Sequence, residues 1–317
     1  MKRILITGGA GFIGSHLCER LLHEGHDIIC LDNYYTGSKQ NIEHLIGHPY
    51  FELVRHDVTQ PFFAEVDEIY NLACPASPIH YQHNPIKTIK TSVMGAINML
   101  GLAKRVNAKI LQASTSEVYG TALRVPIDEE HPLQAQSPYS ASKISADMLG
   151  NSYHCAFGLP VTIVRPFNTF GPRQSLRAVI PTIIAQALQS RCVKLGDTRP
   201  VRDFNFVTDT AAGFLAAARH APGRAEVYNL ATGSARTIGE TADLIADLVG
   251  SRIEIVHDAS RDRPADSEVM RLLGNAEKAR RDLGWQPAVD FRTGLQKTVE
   301  WVRENLQTYA DAASFKS

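Results

Sequence analysis

The chain has 317 residues, enough for one large domain or two modest ones. Lys and Arg together number 33 and balance 33 Asp and Glu, so no strong field marks nucleic acid or a membrane surface as a partner. No stretch approaches the roughly 18 apolar residues of a membrane span. The five cysteines are scattered without a paired pattern, which is typical of reduced thiols and predicts a cytoplasmic protein.

The chain begins with a strand, a glycine-rich turn and a helix. Residues 3–7 (RILIT) read as a short buried strand, and residues 8–14 (GGAGFIG) form the turn. The glycines Gly8, Gly11 and Gly14 permit a tight turn and let the backbone approach a pyrophosphate at the amino terminus of the helix. The pattern therefore predicts a dinucleotide site.

Acidic residues end the next two predicted strands. The second strand (DIICLD) ends at Asp32, where a carboxylate accepts hydrogen bonds from the adenosine ribose hydroxyls and repels a 2′-phosphate. This favours NAD over NADP. The third strand (FELVRHD) ends at Asp57, a predicted contact for the edge of adenine.

Further predicted strands (EIYNLA and KILQAS) alternate with helical stretches. The alternation predicts an α/β fold with a Rossmann-like, doubly wound parallel sheet. In such sheets ligands lie beyond the carboxyl ends of the strands. We therefore expect one cleft that brings together residues 8–14, Asp32, residues 73–77, residues 114–117 and Tyr139.

Residues 139–143 (YSASK) carry the predicted redox chemistry. Positions i and i+4 share one face of a helix, so the Tyr139 phenol and the Lys143 ammonium point the same way. A neighbouring ammonium favours the phenolate, and we expect it to lower the pKa of Tyr139 from about 10 towards the working pH. A phenolate can take a proton from a substrate alcohol as hydride leaves its carbon.

Together, the GGAGFIG turn, the Ser-Thr-Ser-Glu segment and YSASK resemble the extended short-chain dehydrogenase/reductase family that modifies nucleotide sugars. The resemblance implies a tightly held NAD, with Tyr139 as base, Lys143 as a ligand of the nicotinamide ribose and Thr115 bonded to the reacting sugar hydroxyl. It also implies a homodimer formed by the helix that carries YSASK and the helix before it. The predicted cofactor-binding residues are Gly8, Gly11, Phe12, Ile13, Gly14, Asp32, Asn33, Asp57, Val58, Leu72, Ala73, Tyr139 and Lys143.

The two halves of the chain resemble different members of this family. Residues 1–120, with the segments CPASP and NPIKTIKT, resemble UDP-glucuronate decarboxylases. Residues 121–317 resemble UDP-N-acetylglucosamine 4,6-dehydratases. Decarboxylases of this type usually place an arginine just before the tyrosine motif, whereas residues 134–138 (QAQSP) carry no positive charge.

The chemistry of the two reactions differs after oxidation at C4. A 4-keto-uronate is a β-keto acid and loses carbon dioxide with little help beyond enolate stabilisation. A 4,6-dehydratase also needs a base at C5, which Glu117 can supply, and an acid at C6, for which Ser116 is weak. We therefore favour a UDP-glucuronate decarboxylase. The alternatives are a 4,6-dehydratase, a 4-epimerase and a non-catalytic NAD-binding sensor.

Residues 1–165 are predicted to form the NAD-binding domain, and residues 166–317 a smaller nucleotide-sugar-binding subdomain with some segments returning to the main sheet. Arginine forks suit phosphate oxygens, so Arg202 and Arg261 are the predicted diphosphate ligands. The twelve histidines form no metal-site pattern, and no metal is predicted. We expect the tail from Thr308 to be frayed. The predicted substrate-binding residues are Pro75, Ala76, Ser77, Asn168, Arg173, Val179, Arg202 and Arg261.

Overall fold

The computed structural model describes residues 1–220, 225–262 and 267–307, so the predicted frayed tail from Thr308 lies outside the described residues. The strands are β1 (Arg3–Thr7), β2 (Asp27–Asp32), β3 (Phe51–Arg55), β4 (Glu68–Asn71), β5 (Lys109–Ala113), β6 (Val161–Pro166), β7 (Asn168–Phe170), β8 (Cys192–Leu195), β9 (Val201–Phe206), β10 (Glu226–Leu230), β11 (Ala235–Thr237), β12 (Glu254–His257) and β13 (Arg271–Leu272). The α-helices are α1 (Phe12–His23), α2 (Pro78–His83), α3 (Pro85–Val106), α4 (Pro138–Phe157), α5 (Val179–Gln189), α6 (Val207–Arg219), α7 (Ile238–Val249), α8 (Glu277–Leu283) and α9 (Phe291–Glu304).

The main sheet has seven parallel strands in the order β10-β6-β5-β4-β1-β2-β3. This confirms the predicted Rossmann-like sheet. The chain runs outward from β1 to β3 and then returns to β4 on the other side of β1. The strand order therefore reverses at β1, and ligands of doubly wound sheets bind beyond the carboxyl ends of the strands at such a point.

Helices cover both faces of this sheet because its strands are apolar on both sides. Successive side chains of a strand point to opposite faces. Thus Ile4 and Ile6 share a core cluster with Leu17 of α1, whereas Leu5 shares another with Met99 of α3. All five of these side chains are fully buried.

The helix that carries the YSASK motif has well-defined ends. The hydroxyl of Ser137 accepts a hydrogen bond from the backbone N–H of Ser140, and the Ser140 hydroxyl accepts one from the N–H of Ser137. Pro138 occupies the first turn, where its missing N–H costs no hydrogen bond. Gly158 ends the helix in the left-handed conformation, with φ of 67°. These caps place Tyr139 in the first turn of α4.

A smaller layer follows the main sheet. Strand β9 pairs with β7, β11 and β13, and the helices α5, α7 and α9 pack on it around Phe204, Ile183, Ile245 and Leu295. Strand β10 returns to the main sheet and pairs with β6. The predicted boundary after residue 165 falls at the last residues of β6, and the division into two domains stays a prediction.

Two findings bear on the expected location of the protein. Among the described residues, no helix is long and apolar enough to cross a membrane. The five cysteines form no disulfide with one another. The cytoplasmic location stays a prediction.

A half-buried histidine joins the amino-terminal helix to the later part of the chain. His16 of α1 donates a hydrogen bond from Nε2 to the carbonyl oxygen of Pro172 at 3.1 Å. Next to it, Arg173 donates to the carboxylate of Glu19 at 2.7 Å. Burial, together with the charge of Arg173, lowers the pKa of His16 to about 4. The imidazole is therefore neutral at neutral pH.

This pKa predicts a specific acid sensitivity. The folded protein keeps His16 neutral down to about pH 4, whereas the unfolded chain protonates it from about pH 6.5, so protonation favours unfolding in that window. We expect the free energy of unfolding to fall by up to about 3 kcal/mol as the pH drops through it. Urea unfolding across this range should show that His16→Gln loses this part of the slope. His23→Gln, an exposed change on the same helix, should keep it. An unchanged slope in His16→Gln would contradict the assignment.

Candidate active site

A cleft of about 1610 Å³ opens at the carboxyl ends of the main sheet. Every residue predicted to act in catalysis or to bind cofactor or substrate lines this cleft, except Asp57. The sequence-based expectation of one shared cleft is therefore confirmed in its geometry. The individual roles of these residues stay predictions.

The glycine turn between β1 and α1 leaves no room for side chains. A Cβ atom at Gly14 would collide with the carbonyl oxygen of Gly8, and one at Gly11 would lie 2.9 Å from the same oxygen. Gly8 has φ of 70° and lies against the backbone of Ala73. Among the described residues no side chain caps the amino terminus of α1, which leaves its first N–H groups available to an anion. The turn thus fits a pyrophosphate.

Asp32 ends β2 at the wall of the same cleft. Its carboxylate accepts hydrogen bonds from the backbone N–H groups of Ala10, at 3.0 Å, and Tyr34, at 2.8 Å. Burial nevertheless raises the pKa of Asp32. Since each carboxylate oxygen can accept more than one hydrogen bond, both remain able to bind ribose hydroxyls. The geometry fits an unphosphorylated adenosine ribose.

Asp57 is not among the residues that line the cleft, and its contact with adenine stays a prediction. Strand β3 ends at Arg55, two residues before Asp57, whose carboxylate has several side-chain partners. It accepts hydrogen bonds from Lys87 at 2.6 Å, Asn33 at 3.0 Å and the Thr59 hydroxyl at 2.8 Å. These bonds hold the pKa of Asp57 well below its usual range despite partial burial. Asp57 therefore supports the wall of the cleft instead of lining it.

The candidate catalytic residues come from the end of β5 and the start of α4. Tyr139 is 6% exposed and Lys143 is 3% exposed. The Lys143 ammonium donates a hydrogen bond to the carbonyl oxygen of Ala113 at 2.8 Å and lies 5.9 Å from the centre of the Tyr139 ring. Thr115 and Glu117 complete the group.

The pKa of Tyr139 is raised well above its usual value, which is opposite to the expected direction. Burial is the largest cause, and the nearby Cys74 and Glu117 add to it, while a hydrogen bond with Thr115 lowers the pKa. The ammonium of Lys143 donates to a carbonyl oxygen and is not among the main causes of the shift in the pKa of Tyr139. In the protein alone the phenol is protonated at neutral pH.

A buried polar network lies behind the catalytic helix. Asp147, one turn after Lys143, accepts hydrogen bonds from the Ser114 hydroxyl at 2.9 Å and from Arg165 at 3.1 Å and 3.2 Å. Arg165 also donates to the hydroxyl of Tyr119 at 3.1 Å. The network joins α4 to β5, to β6 and to the turn after β5.

Several buried polar atoms in the wall have no hydrogen-bond partner among the described residues. They are Ser77 Oγ, Asn168 Oδ1 and Arg173 Nη1. A buried polar group without a partner costs about 1–3 kcal/mol, so these atoms are expected to bond to a ligand. All three residues were predicted to bind substrate, and a hydroxyl-rich nucleotide sugar fits them.

The predicted diphosphate ligands already have acidic partners. Arg202 donates to Glu268 at 2.6 Å, and Arg261 donates to Asp258 at 3.1 Å. Sequence reasoning missed Arg177, which also lines the cleft and donates to the carbonyl oxygen of Thr36 at 2.9 Å. Within the described part of the chain Arg177 has no carboxylate partner, and burial lowers the pKa of its guanidinium.

Two further side chains lie near Tyr139. Tyr81 of α2 is 1% exposed, and its ring stacks on that of Tyr139. Cys74 lines the cleft, with its sulfur 3.1 Å from the hydroxyl of Ser92. Cys74 belongs to residues 73–77, which were expected in the cleft. Tyr81 was missed, because its position forms no recognisable spacing with the YSASK motif.

The sheet, the glycine turn and the Tyr139/Lys143 pair together define an extended short-chain dehydrogenase/reductase. Residues 5–298 match the family described as GDP-mannose 4,6 dehydratase, and the chain belongs to this family.

Individual relatives are similar over nearly the whole chain. UDP-glucuronic acid decarboxylase 3 of Arabidopsis thaliana is 44% identical, covering 96% of this chain and 90% of its own length. UDP-glucuronic acid decarboxylase 1 of Xenopus tropicalis is 42% identical, covering 98% and 74%. The structure of dTDP-glucose 4,6-dehydratase from Bacillus anthracis in complex with NAD is 32% identical, with a TM-score of 0.86, covering 98% of this chain and 99% of that one. The likeness to decarboxylases thus extends through both halves of the chain.

Proposed function

We propose that this protein is an NAD-dependent nucleotide-sugar lyase that decarboxylates UDP-glucuronate through a transient 4-keto sugar. The proposal rests on the observation that Tyr139, Thr115 and Lys143 lie together in one cleft, where their side chains are largely buried. In the same cleft, the residue next to Glu117 is Ser116. This set can oxidise C4, but it supplies only a serine hydroxyl where a dehydratase needs an acid. The names of the similar decarboxylases support the same choice.

The first step is oxidation at C4 of the sugar. When bound, NAD accepts a hydride from this carbon and later returns it. Tyr139 in its phenolate form takes the proton of the C4 hydroxyl, and the Thr115 hydroxyl orients that oxygen. The first turn of α4 favours the phenolate, because the positive end of the helix dipole lies there.

The second step breaks the bond between C5 and C6. Its electron pair moves towards the C4 carbonyl oxygen, which becomes an enolate, and C6 leaves as carbon dioxide. The hydroxyls of Tyr139 and Thr115 can donate hydrogen bonds to the enolate oxygen. Protonation at C5 restores the ketone. Return of the hydride to C4, with the proton held by Tyr139, gives UDP-xylose, and one proton is consumed overall.

A 4,6-dehydratase is the second candidate. The carboxylate of Glu117 lines the same cleft as Tyr139 and helps to raise the pKa of Tyr139, which supports Glu117 as a candidate base for the C5 proton. Such a reaction would expel hydroxide from C6 as water. Ser116 is 3% exposed and is a much weaker acid than a carboxyl group. Because of this difference, we favour decarboxylation over dehydration.

Proton NMR with NAD and either UDP-glucuronate or UDP-N-acetylglucosamine separates the two reactions. We expect UDP-glucuronate to lose its C5 signal with release of carbon dioxide. Tyr139→Phe should lower the rate by about 10²–10⁴-fold, because proton transfer to and from the C4 oxygen is lost. A new methyl doublet from the acetamido sugar, without change in the uronate, would contradict the decarboxylase.

Retention of the cofactor between the two hydride transfers is part of the proposal. Contacts from the segment after β7 reach the predicted NAD-binding half at two places. Arg177 bonds to Thr36, and Arg173 bonds to Glu19. They support a site in which the reduced cofactor is used again before it leaves.

A homodimer is proposed through α3 and α4, which pack side by side in the protomer. Their outer surface exposes large apolar side chains: Ile86 (65%), Ile89 (41%) and Met94 (40%) on α3, and Met148 (48%) on α4. Two copies of this helix pair would form a four-helix contact that buries these side chains. Large apolar side chains exposed on a pair of packed helices are typical of an interface between subunits.

Light scattering after gel filtration tests the dimer. We expect twice the protomer mass for the native chain and a shift towards the protomer mass for Met148→Glu, because a charge would be buried at the contact. Met270→Glu, at a methionine that is similarly exposed (44%) elsewhere, should leave the mass unchanged. A native protein of protomer mass at micromolar concentration would rule out the dimer.

A further inference from the structure

A second tyrosine lies face to face with the candidate base. The ring of Tyr81 is parallel to the ring of Tyr139, with an angle of 6° between the planes and 5.5 Å between the centres. Tyr81 is 1% exposed and Tyr139 is 6% exposed, so the pair is closed off from bulk water. Offset stacking of this type is a favoured arrangement of aromatic rings.

Tyr81 belongs to the segment that forms the substrate wall of the cleft. It lies on α2, a short helix that directly follows the loop of residues 74–77. Its backbone N–H donates to the carbonyl oxygen of Ser77 at 3.2 Å. Its neighbours Ile79 and Gln82 line the cleft. A shift of this wall would therefore move the ring that lies against Tyr139.

The base needs such support because its own anchoring is limited. Tyr139 lies in the first turn of α4, and its oxygen is held by a hydrogen bond with Thr115. Lys143 is bonded to Ala113 instead of the phenol. The hydrogen bond at the oxygen does not by itself fix the plane of the ring, which also depends on the side chains packed against its face. A catalytic group has to be held within roughly 0.5 Å of its productive position.

We propose that Tyr81 is a positioning residue for Tyr139. Its ring fixes the plane of the phenol, so that the oxygen stays directed at the sugar hydroxyl, and it couples the base to the substrate wall. This inference rests on the proposed function only in taking Tyr139 as the base for C4 oxidation. It holds equally for decarboxylation, dehydration or epimerisation.

An electrostatic role for Tyr81 predicts a different behaviour. Tyr81 is also among the groups that raise the pKa of Tyr139, although it is the smallest of the causes named. If this were its only effect, removing the ring would lower the pKa of Tyr139, and the rate at low pH would rise. Loss of positioning lowers the rate at every pH, including above the pKa of Tyr139.

Three changes at this position separate the ring from the hydroxyl. Tyr81→Phe keeps the ring, whereas Tyr81→Leu and Tyr81→Met remove it with two different shapes, so that one of them can fold if the other fails. Tyr228→Leu is the matched control, since Tyr228 is a fully buried tyrosine that does not line the cleft. Thermal unfolding of all four variants measures the general cost of losing a buried ring.

Two measurements are then made on each variant. The first is the single-turnover rate of reduced-nicotinamide formation with UDP-glucuronate across pH, together with calorimetric binding of UDP. We expect Tyr81→Leu and Tyr81→Met to lose about a hundredfold in rate at every pH with unchanged UDP binding. Tyr81→Phe and Tyr228→Leu should stay close to the native rate.

The second measurement needs no substrate. Carbon-13 NMR of ring-labelled tyrosine, with the Tyr139 signal assigned by Tyr139→Phe, reports ring motion and ionisation of the base. We expect faster flipping of the Tyr139 ring in Tyr81→Leu and Tyr81→Met only. If native protein forms no reduced nicotinamide with UDP-glucuronate, the proposed substrate fails, while this measurement still decides the role of Tyr81.

Three results would overturn the proposal. The first is a rate in the ring-deleted variants that returns to the native value at high pH. The second is an equal loss in Tyr81→Phe, which would assign the effect to the hydroxyl. The third is unchanged motion of the Tyr139 ring when the Tyr81 ring is removed.

Discussion

The buried carboxylate of Asp147 ties the catalytic helix to the sheet. It binds Ser114 at the end of β5 and Arg165 of β6, and it lies one helical turn after Lys143. Removing one partner of such a pair leaves an uncompensated buried charge, at a cost of about 3–5 kcal/mol. This contact therefore holds α4 in position relative to β5, and it thereby helps to place Tyr139 beside Thr115.

The same burial that gives the site its geometry opposes its chemistry. It raises the pKa of Tyr139, although the base has to lose its proton to act. The first turn of α4 and the Thr115 hydroxyl work in the other direction. Binding of an oxidised, positively charged nicotinamide would add to them. The protein alone thus holds a protonated phenol in position, and ionisation is coupled to loading of the cleft.

Short spacings along the sequence were enough to predict much of this structure. The rest depends on contacts between residues that are far apart in the sequence. The strand that precedes the glycine turn, the position of Asp32 and the shared face of Tyr139 and Lys143 depend on short spacings, which the sequence displays directly. The pairing of Asp57 with Lys87 joins residues 30 positions apart, and that of Arg202 with Glu268 joins residues 66 apart. No local spacing reveals such pairs, so the partners of Asp57 and Arg202 could not be predicted from the sequence.

The central proposal is that one site oxidises C4, releases carbon dioxide and returns the same hydride. Mass spectrometry of the nucleotide sugar formed from UDP-glucuronate carrying deuterium at C4, with unlabelled NAD, tests this claim directly. The account predicts a UDP-pentose that has lost the carboxyl carbon and retains the deuterium. A deuterium-free pentose would show that the hydride is not returned, and a product that keeps the carboxyl group would contradict decarboxylation itself.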